Sequence, residues 1–299
     1  MIKIGIIGLS VHSADFTQII NQTAEGRQNC RVTQLYHPPG NPDVEFSRVQ
    51  LERFQTVVTQ LGVKMVNSIE AILPEVDCMM LLTNDGRPHL EEIRPILKAG
   101  KPIYVDKPMA ESLKNVNTIF KEAAKYQVPV FTSSALRYVQ KAQSIAQGAV
   151  GRVNGALTFG PAPLQKSHTD LFWDGIHGIE LLYTVMGPGC EYVSRVYSPE
   201  TDVVTGVWKD GRTGVFRGIR AGKVGFGGTV FGNDGIVEIG KFDGYEGLVD
   251  AILTFFSTGQ MPVKPEETLE LYAFMHAADV SKMESGRKVS IAEELAKVL

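Results

Sequence analysis

The sequence predicts an α/β protein in which a doubly wound parallel sheet is followed by an α+β domain with a large, mainly antiparallel open sheet. Short apolar runs alternate with helical patterns over the first 130 of 299 residues, which is typical of parallel sheets covered by helices on both faces. Beyond about residue 150, strand patterns follow one another, and Asp210-Gly211 is a strong hairpin signal. We therefore predict two domains, residues 1–130 and 131–299, with the closing C-terminal helix as a candidate to pack back on the first domain.

Each element of the first domain follows from an apolar run or from a helical pattern that ends at a stop signal. Gly62 follows the second helical pattern, and Gly100-Lys101-Pro102 ends the third with a C′ glycine and a proline. Because ligands of doubly wound sheets lie beyond the carboxyl ends of the strands, the residues there are candidates for a site. The predicted strands cover residues 3–7, 32–36, 76–82, 103–105 and 128–131, and the predicted helices cover residues 15–22, 47–61, 88–98 and 113–126.

The second domain begins with a strand at residues 153–159, a loop that contains proline and glycine, and a helix at about residues 171–186. Strand patterns that succeed one another with short turns indicate a mainly antiparallel sheet. These strands are predicted at residues 192–197, 202–209, 213–220, 225–231 and 236–239, and two helices at about residues 246–257 and 266–285 close the chain.

Composition excludes several classes of function. The net charge of −3 and the pI of about 6.1 indicate neither a nucleic-acid surface nor an anionic-membrane surface, and no apolar run is long enough to span a bilayer. The chain enters a strand pattern at once, without the features of a signal peptide, so we expect a cytoplasmic protein. Cys30, Cys78 and Cys190 are isolated and lack zinc spacing, which predicts no metal site and a buried, reduced Cys78.

The turn after the first strand carries only part of a dinucleotide-binding pattern. Such a pattern has glycines at positions 8, 10 and 13, whereas this chain has Gly8, Ser10 and Ser13. A serine hydroxyl still donates a hydrogen bond to a phosphate, and Ser13 is a favourable N-cap. Asp15, in the first helical turn, would compete with a phosphate for the same helix end. Two interpretations stay open, a phosphate-binding turn and a plain strand–turn–helix connection.

The end of the second strand also departs from the pattern, since no Asp or Glu stands where dinucleotide-binding proteins hold the ribose hydroxyls. His37 and Asn41 are candidates to contact a ribose, and Arg48 is a candidate to approach a 2′-phosphate. The loss of a charged hydrogen bond costs about 1.5–3 kcal/mol, which weakens binding without abolishing it. An ordinary proline-rich surface loop is the alternative.

Later motifs carry a family resemblance. Thr83-Asn84 follows the strand at residues 76–82, Asp106-Lys107-Pro108 follows the strand at residues 103–105, and a later segment reads Trp173-Asp174-Gly175-Ile176-His177. In order and spacing, these motifs resemble the Gfo/Idh/MocA family, named for glucose–fructose oxidoreductase, inositol dehydrogenase and a rhizopine-catabolism protein. The resemblance extends along essentially the whole chain. This chain differs from the family pattern in having Asp for Glu before the lysine, and Trp173 at the usual aspartate position.

The resemblance implies a Rossmann-type domain that binds NAD or NADP, and a catalytic pair of Lys107 and His177. Histidine suits proton transfer near neutral pH, and a lysine can orient a hydroxyl and stabilise a developing oxyanion. Asp174 is a third catalytic candidate, because residues three apart on a helix share a face. A cis peptide between Lys107 and Pro108 is also implied. The implied cofactor contacts are Gly8, Ser10, Ser13, His37, Thr83, Asn84, Asp106, Lys107 and Pro108.

Each of these roles has a structural alternative. Lys107 could be a solvated loop lysine, and His177 could be a core histidine. Arg137, Trp173 and Glu180 are candidate substrate residues, but Glu180 could instead orient His177, and Arg137 could brace the two domains.

Three functions follow from the resemblance. The first is an NAD(P)-dependent dehydrogenase of a sugar, cyclitol or related polyol. The second is a non-redox enzyme that uses bound NAD for transient oxidation during elimination or glycoside cleavage. The third is a ligand-binding or regulatory protein that has lost cofactor binding, since fold alone does not determine activity. The resemblance also implies a homodimer or homotetramer formed through the C-terminal sheet.

Overall fold

The computed structural model describes residues 1–44 and 49–299. The chain divides into two compact units, which we name unit 1 and unit 2. Unit 1 comprises Met1–Glu111, Asn115–Ser133 and Tyr245–Lys264, and unit 2 comprises Ser112–Lys114, Ser134–Gly244 and Pro265–Leu299. The predicted boundary near residue 130 assigned Tyr245–Lys264 to the second domain, whereas these residues are part of unit 1. Arg48, and with it the start of the predicted helix 47–61, lies outside the described residues.

Unit 1 is built on a six-stranded sheet in which all neighbouring strands are parallel. Its strands are β1 (Ile2–Ile7), β2 (Cys30–Tyr36), β3 (Lys64–Val66), β4 (Cys78–Leu81), β5 (Ile103–Val105) and β6 (Val130–Thr132). Their order, β3-β2-β1-β4-β5-β6, is that of a doubly wound sheet, so the predicted fold class is confirmed. Strand β3 was not predicted, because its three residues are exposed or half-buried and form no apolar run.

Four helices were predicted between the strands of the first sheet, whereas the described residues form five α-helices there, since the short helix α3 (Ile69–Ile72) was not predicted. Helix α1 also starts earlier than predicted. Ser10 caps this helix, so that it begins at Val11 and not near residue 15. No helix in the described part of the chain is long and apolar enough to cross a membrane. The α-helices are α1 (Val11–Ile20), α2 (Leu51–Gln60), α3 (Ile69–Ile72), α4 (His89–Lys98), α5 (Leu113–Tyr126), α6 (Gln140–Ala146), α7 (Gly175–Met186), α8 (Glu246–Thr258), α9 (Pro265–Met283) and α10 (Ile291–Ala296).

Helix α8 packs on unit 1 although it comes late in the chain. Phe255 of α8 meets Phe131 of β6 edge-on, with ring centroids 4.9 Å apart. Arg27 also pairs with Asp250 of α8 at 2.6 Å. Aromatic burial and an ion pair together explain why α8 belongs to unit 1.

Unit 2 is built on a seven-stranded sheet in which only β7 and β10 pair in parallel among the described strands. Its strands are β7 (Val153–Pro161), β8 (Cys190–Ser198), β9 (Thr201–Trp208), β10 (Thr213–Ile219), β11 (Gly227–Gly232), β12 (Gly235–Ile239) and β13 (Val289–Ser290). The order is β12-β11-β7-β10-β9-β8-β13. Val204, Phe216 and Val230 point to its buried face, and α7 packs there through a hydrogen bond of 2.8 Å from Thr158 to the Gly178 carbonyl. The predicted, mainly antiparallel sheet is confirmed.

Candidate active site

The chain makes a tight turn directly after β1, and only glycine fits its first position. Gly8 has a φ of +96°, which L side chains rarely adopt. A Cβ atom on Gly8 would lie 2.4 Å from the backbone nitrogen of Thr83, which follows β4. The close approach of these two segments therefore requires a glycine at this position.

Ser10 and Ser13 form a reciprocal capping box at the start of α1. The N–H of Ser10 donates to Ser13 Oγ over 2.5 Å, and the N–H of Ser13 donates to Ser10 Oγ over 3.3 Å. The N-cap residue is therefore Ser10 and not Ser13, which corrects the sequence-based assignment. Asp15 lies beyond the first turn of α1, which holds no acidic residue, so the expectation that Asp15 lies in the first helical turn is wrong.

The start of α1 keeps two backbone donors for an anion. The N–H of Leu9 donates to His37 Nδ1 over 3.2 Å, whereas the N–H groups of Val11 and His12 donate to no acceptor in the described part of the chain. Unpaired N–H groups in the first turn of a helix, together with the helix dipole, favour a bound phosphate. The ten-residue helix α1 therefore fits the pyrophosphate of a dinucleotide, although two glycines of the usual pattern are missing.

A cavity of about 340 Å³ lies beside this helix start within unit 1. Val11 and Asp15 of α1, Arg53 and Phe54 of α2, and Asn84 after β4 are among the residues that line it. The cavity brings Asn84, a predicted cofactor residue, next to the helix start with the unpaired N–H groups. Its volume lies within the range of small-molecule sites.

Polar side chains bind the loop after β2 to the loop after β4. Asn41 donates to the Asp85 carboxylate, and Arg87 bridges Asp43 at 2.7 Å and Asp85 at 2.6 Å. His37 is half-buried, and burial lowers the pKa of its imidazole. A neutral imidazole ring can accept a hydrogen bond at Nδ1, and the donor here is the N–H of Leu9. His37 and Asn41 thus each make a contact within unit 1, and their contact with a ribose stays a prediction.

Asp106 and Lys107 follow β5 at the carboxyl edge of the parallel sheet. Asp106 is 1% exposed; it pairs with His12 Nδ1 at 2.5 Å and accepts a hydrogen bond of 3.1 Å from the Tyr104 hydroxyl. Burial alone would raise the pKa of Asp106, but the charges of His12 and Lys107 outweigh burial and lower this pKa below its ordinary value. An ionised carboxylate therefore stands directly before the predicted catalytic lysine. The Lys107–Pro108 peptide is cis, as the resemblance implied.

His12 is a site residue that the sequence analysis did not single out. Its ring stacks on Phe16 with centroids 5.2 Å apart and meets Tyr245 edge-on at 5.0 Å. His12 thereby connects the turn after β1 to Asp106, which lies 94 positions later in the chain. A histidine inside the glycine-turn pattern was the only local signal, since its partner is distant in sequence.

In unit 2, His177 lies in the first turn of α7 with polar groups near both ring nitrogens. Its Nδ1 is 2.7 Å from Ser134 Oγ, and its Nε2 is 4.0 Å from a carboxylate oxygen of Asp174. Helix α7 begins at Gly175, not at about residue 171, and Asp174 is its N-cap residue. The carboxylate therefore approaches His177 from the helix cap, which corrects the interpretation of the two residues as neighbours on one helical face.

Aromatic rings contact His177 and the segment that precedes α7. Phe226 meets the His177 ring edge-on with centroids 5.6 Å apart, and Trp173 packs on His168 at 4.7 Å. Trp173 and His177 are both half-buried, so each keeps a partly exposed surface. Phe226 was not predicted as a site residue, because nothing in the local sequence connects it to α7.

Arg137 and Glu180 form a buried ion pair next to Ser134. Arg137 Nε donates to Glu180 over 2.8 Å, and its terminal nitrogen lies 2.8 Å from Glu267. The N–H of Ser134 donates to the second Glu180 oxygen over 2.8 Å. The structure thus gives both Arg137 and Glu180 partners within unit 2, and their contact with a substrate stays a prediction.

The predicted site residues fall into two groups, one in each unit. Unit 2 brings together Asp174, His177, Glu180 and Arg137 around Ser134, and Trp173 directly precedes Asp174. Unit 1 carries the predicted cofactor residues at the carboxyl ends of its strands: Gly8, Ser10, Ser13, His37, Thr83, Asn84, Asp106, Lys107 and Pro108.

A comparison with protein families finds one match, which covers residues 2–134. The matching family is described as an oxidoreductase family with an NAD-binding Rossmann fold. The comparison with curated proteins finds no match.

Solved structures share the fold over nearly the full chain. A probable dehydrogenase from Thermotoga maritima has a TM-score of 0.80 at 19% identity, over 97% of this chain and 99% of that chain. Scyllo-inositol dehydrogenase from Lactobacillus casei with bound NAD(H) and scyllo-inositol has a TM-score of 0.78 at 15% identity, over 98% and 99%. An oxidoreductase from Agrobacterium radiobacter in complex with NAD+, L-tartaric acid and magnesium has a TM-score of 0.76 at 13% identity, over 98% and 99%. These similarities establish the fold of both units.

Proposed function

We propose that the protein is an NAD(P)-dependent dehydrogenase of a sugar, cyclitol or related polyol, because residues 2–134 match an oxidoreductase family with an NAD-binding Rossmann fold. The observation that carries the proposal is the start of α1, where Val11 and His12 keep unpaired N–H groups beside a cavity of about 340 Å³. Solved structures of the same fold support the substrate class, since one contains NAD(H) with scyllo-inositol and another NAD+ with L-tartaric acid.

In this proposal the chain supplies proton transfer and charge stabilisation. His177 Nε2 takes the proton of the substrate hydroxyl, and the Asp174 carboxylate at 4.0 Å stabilises the imidazolium that forms. Lys107 orients the hydroxyl and stabilises negative charge on its oxygen. The nicotinamide, when bound, supplies the acceptor for the hydride.

The remaining predicted residues divide by burial into binding and supporting roles. Trp173 is half-buried, and we assign it a contact with the apolar face of the substrate. Arg137 and Glu180 have side chains only 11% and 5% exposed, so we assign them the support of Ser134 and α7. On the cofactor side, the turn from Gly8 to Ser13 holds the pyrophosphate, and His37, Thr83 and Asn84 border the nucleoside.

A turnover assay tests this proposal. Protein stripped of nucleotide is given NAD+ or NADP+ with a panel of polyols that includes scyllo-inositol, and the reduced cofactor is followed by absorbance. We expect net reduction with at least one polyol, and its loss in Lys107→Ala and His177→Gln. Lys209→Ala, an exposed lysine in a turn of unit 2, serves as the control and should keep full activity.

A second candidate, a binding protein without turnover, is favoured by one observation. The hydroxyls of Ser10 and Ser13 are used within the capping box, and the residue directly after β2 is His37 and not Asp or Glu. Ligand binding without any turnover would support this candidate. Turnover without net reduction of the cofactor would instead support transient oxidation.

We also propose that copies of the chain pair through the open face of the unit 2 sheet. The strand register places Leu157, Val196, Phe231 and Ile236 on one face, and these side chains are 38%, 72%, 43% and 69% exposed. Exposed apolar side chains that share one sheet face are typical of an interface. Sedimentation should show a dimer or tetramer that Val196→Lys weakens, whereas Met283→Lys, at an exposed position on α9, should not change the mass.

A further inference from the structure

Ser134 holds the imidazole of His177 through the ring nitrogen that faces away from Asp174. Ser134 Oγ is 2.7 Å from Nδ1, while the nearest Asp174 oxygen is 4.0 Å from Nε2. The Nδ1 contact is within hydrogen-bond distance, and the Nε2 contact is not. The contact with Ser134 therefore fixes the orientation of the ring through Nδ1.

Ser134 is itself fixed by the backbone and by a buried ion pair. It is 1% exposed, and its N–H donates to Glu180 over 2.8 Å. Its Oγ accepts the N–H of Leu136 over 3.1 Å and so caps the short 3-10 helix Ala135–Tyr138. Glu180 is held in turn by Arg137 at 2.8 Å. A hydroxyl with this much support has a defined position, which a positioning residue needs.

The tautomer of His177 follows from the chemistry of proton acceptance. A neutral imidazole carries one ring hydrogen, so Nε2 can accept a proton only if Nδ1 holds that hydrogen. A hydroxyl oxygen has two lone pairs. Ser134 Oγ can therefore accept the Nδ1 hydrogen in addition to the Leu136 N–H.

We propose that Ser134 is a positioning residue for His177, whose hydroxyl oxygen accepts the Nδ1–H hydrogen bond and leaves Nε2 as the base. This inference rests on the proposed function, in which the substrate O–H bond breaks, its proton bonds to Nε2, and the electron pair stays on oxygen to form the carbonyl as the hydride leaves for the nicotinamide. The imidazolium then keeps its bond to Ser134 at Nδ1 and faces Asp174 from Nε2. Ser134 thus makes His177 ready as a base before substrate arrives.

Nitrogen NMR of the protein labelled with 15N-histidine tests this inference without any ligand. Long-range proton–nitrogen spectra distinguish the two neutral tautomers, and the spectrum of His177→Gln assigns the His177 signals. We expect the Nδ1–H tautomer in the wild type, a shift toward Nε2–H in Ser134→Ala, and retention of Nδ1–H in Ser134→Thr. An Nε2–H tautomer in the wild type, or an unchanged tautomer in a folded Ser134→Ala, would overturn the inference.

Turnover of the polyol found in the screen adds a second readout. We expect Ser134→Ala to lower kcat about tenfold with little change in KM, because the serine acts through the base and not on the substrate. Ser134→Thr should recover most of kcat, and Ser144→Ala, at a half-buried serine of α6, should behave as the wild type. If Ser134→Ala fails to fold, Ser134→Thr tests the inference instead. Retention of the Nδ1–H tautomer and of turnover in Ser134→Thr would support the inference, and loss of the Nδ1–H tautomer in this variant would contradict it. A tautomer shift in Ser134→Ala together with a wild type that oxidises no polyol would support the role of Ser134 and overturn the proposed function.

Discussion

Two helix starts carry the proposed functional residues, and they use their capping side chains differently. At α1 in unit 1, Ser10 and Ser13 bond to each other's backbone in a closed capping box. At α7 in unit 2, the N-cap residue Asp174 makes no side-chain capping bond, and its carboxylate lies near His177. One helix start uses its polar side chains for stability, and the other places its carboxylate near the ring of His177.

The two helix starts depart from the expected residue patterns in different ways. The α1 start gives up two glycines but keeps the backbone donors of Val11 and His12, because a phosphate is bound by N–H groups. The α7 start loses the usual aspartate to Trp173 but keeps a carboxylate near the histidine, because Asp174 reaches it from the cap. In both places the chemical group is retained although the residue pattern is not.

The largest expected effect concerns His177, which lies in the first turn of α7. His177→Gln should lower kcat by about 10²–10⁴-fold, as expected when a general base is lost, while the affinity for the cofactor stays the same. Steady-state kinetics and calorimetry measure the two quantities. His276→Gln, at a half-buried histidine of α9, is the matched control and should keep its activity. Equal loss in both variants would contradict a specific role for His177.

The next effect concerns the backbone of the α1 start. Gly8→Ala should lower the free energy of unfolding by about 2–5 kcal/mol, because it combines a φ of +96° with a Cβ contact at 2.4 Å. Gly100→Ala also has a positive φ, of +68°, but nothing lies near its Cβ, so it should cost only about 1 kcal/mol. Denaturant unfolding measures the free energy of unfolding of both variants. Equal losses of this free energy would contradict the close approach of Gly8 to the backbone of Thr83.

In unit 2, Asp279 should make stability depend on pH. Burial raises the pKa of Asp279 to about 7, against the attraction of Arg195. The folded state therefore holds a proton that the unfolded chain releases, so this group makes stability fall as the pH rises from about 4 to 7.

Asp279→Asn should remove that fall. The difference in unfolding free energy between variant and wild type should grow by about 1–3 kcal/mol across this window. Thermal unfolding of both proteins at several pH values measures the difference. A constant difference over the whole range would show that Asp279 titrates at its ordinary pKa.

The smallest expected effect compares the two caps directly. Ser10→Ala should lower the unfolding free energy by about 1 kcal/mol through the lost capping bond. Asp174→Ala should cost less stability, because Asp174 makes no side-chain capping bond, but it should lower kcat. Thermal unfolding and steady-state kinetics of both variants measure these effects. The comparison would be contradicted if Asp174→Ala were both more destabilising and more active than Ser10→Ala.

The fold could be predicted because its signals are local. Apolar runs predicted five strands of the unit 1 sheet, and the two-residue turn Asp210-Gly211 predicted the hairpin between β9 and β10. The start of α1 was predicted too late, because Val11, His12 and Ser13 were read as parts of a glycine turn and not as helix. β3 was missed because it lacks an apolar run.

The site could be predicted only in part, because its polar partners are distant in sequence. Lys107 and His177 stand in recognisable motifs. Ser134 lies 43 positions from His177, and His12 lies 94 positions from Asp106, so neither contact leaves a pattern in the local sequence. The folded chain, and not the motif, brings these pairs within hydrogen-bond distance.

The central claim is that the altered start of α1 still binds a dinucleotide. Calorimetric titration of purified, nucleotide-stripped protein with NADH and then NADPH tests it most directly. We expect a dissociation constant in the micromolar range for at least one of them, equivalent to about −8 kcal/mol. The absence of binding for both at millimolar concentration would contradict the claim and leave a ligand-binding protein without cofactor as the better account.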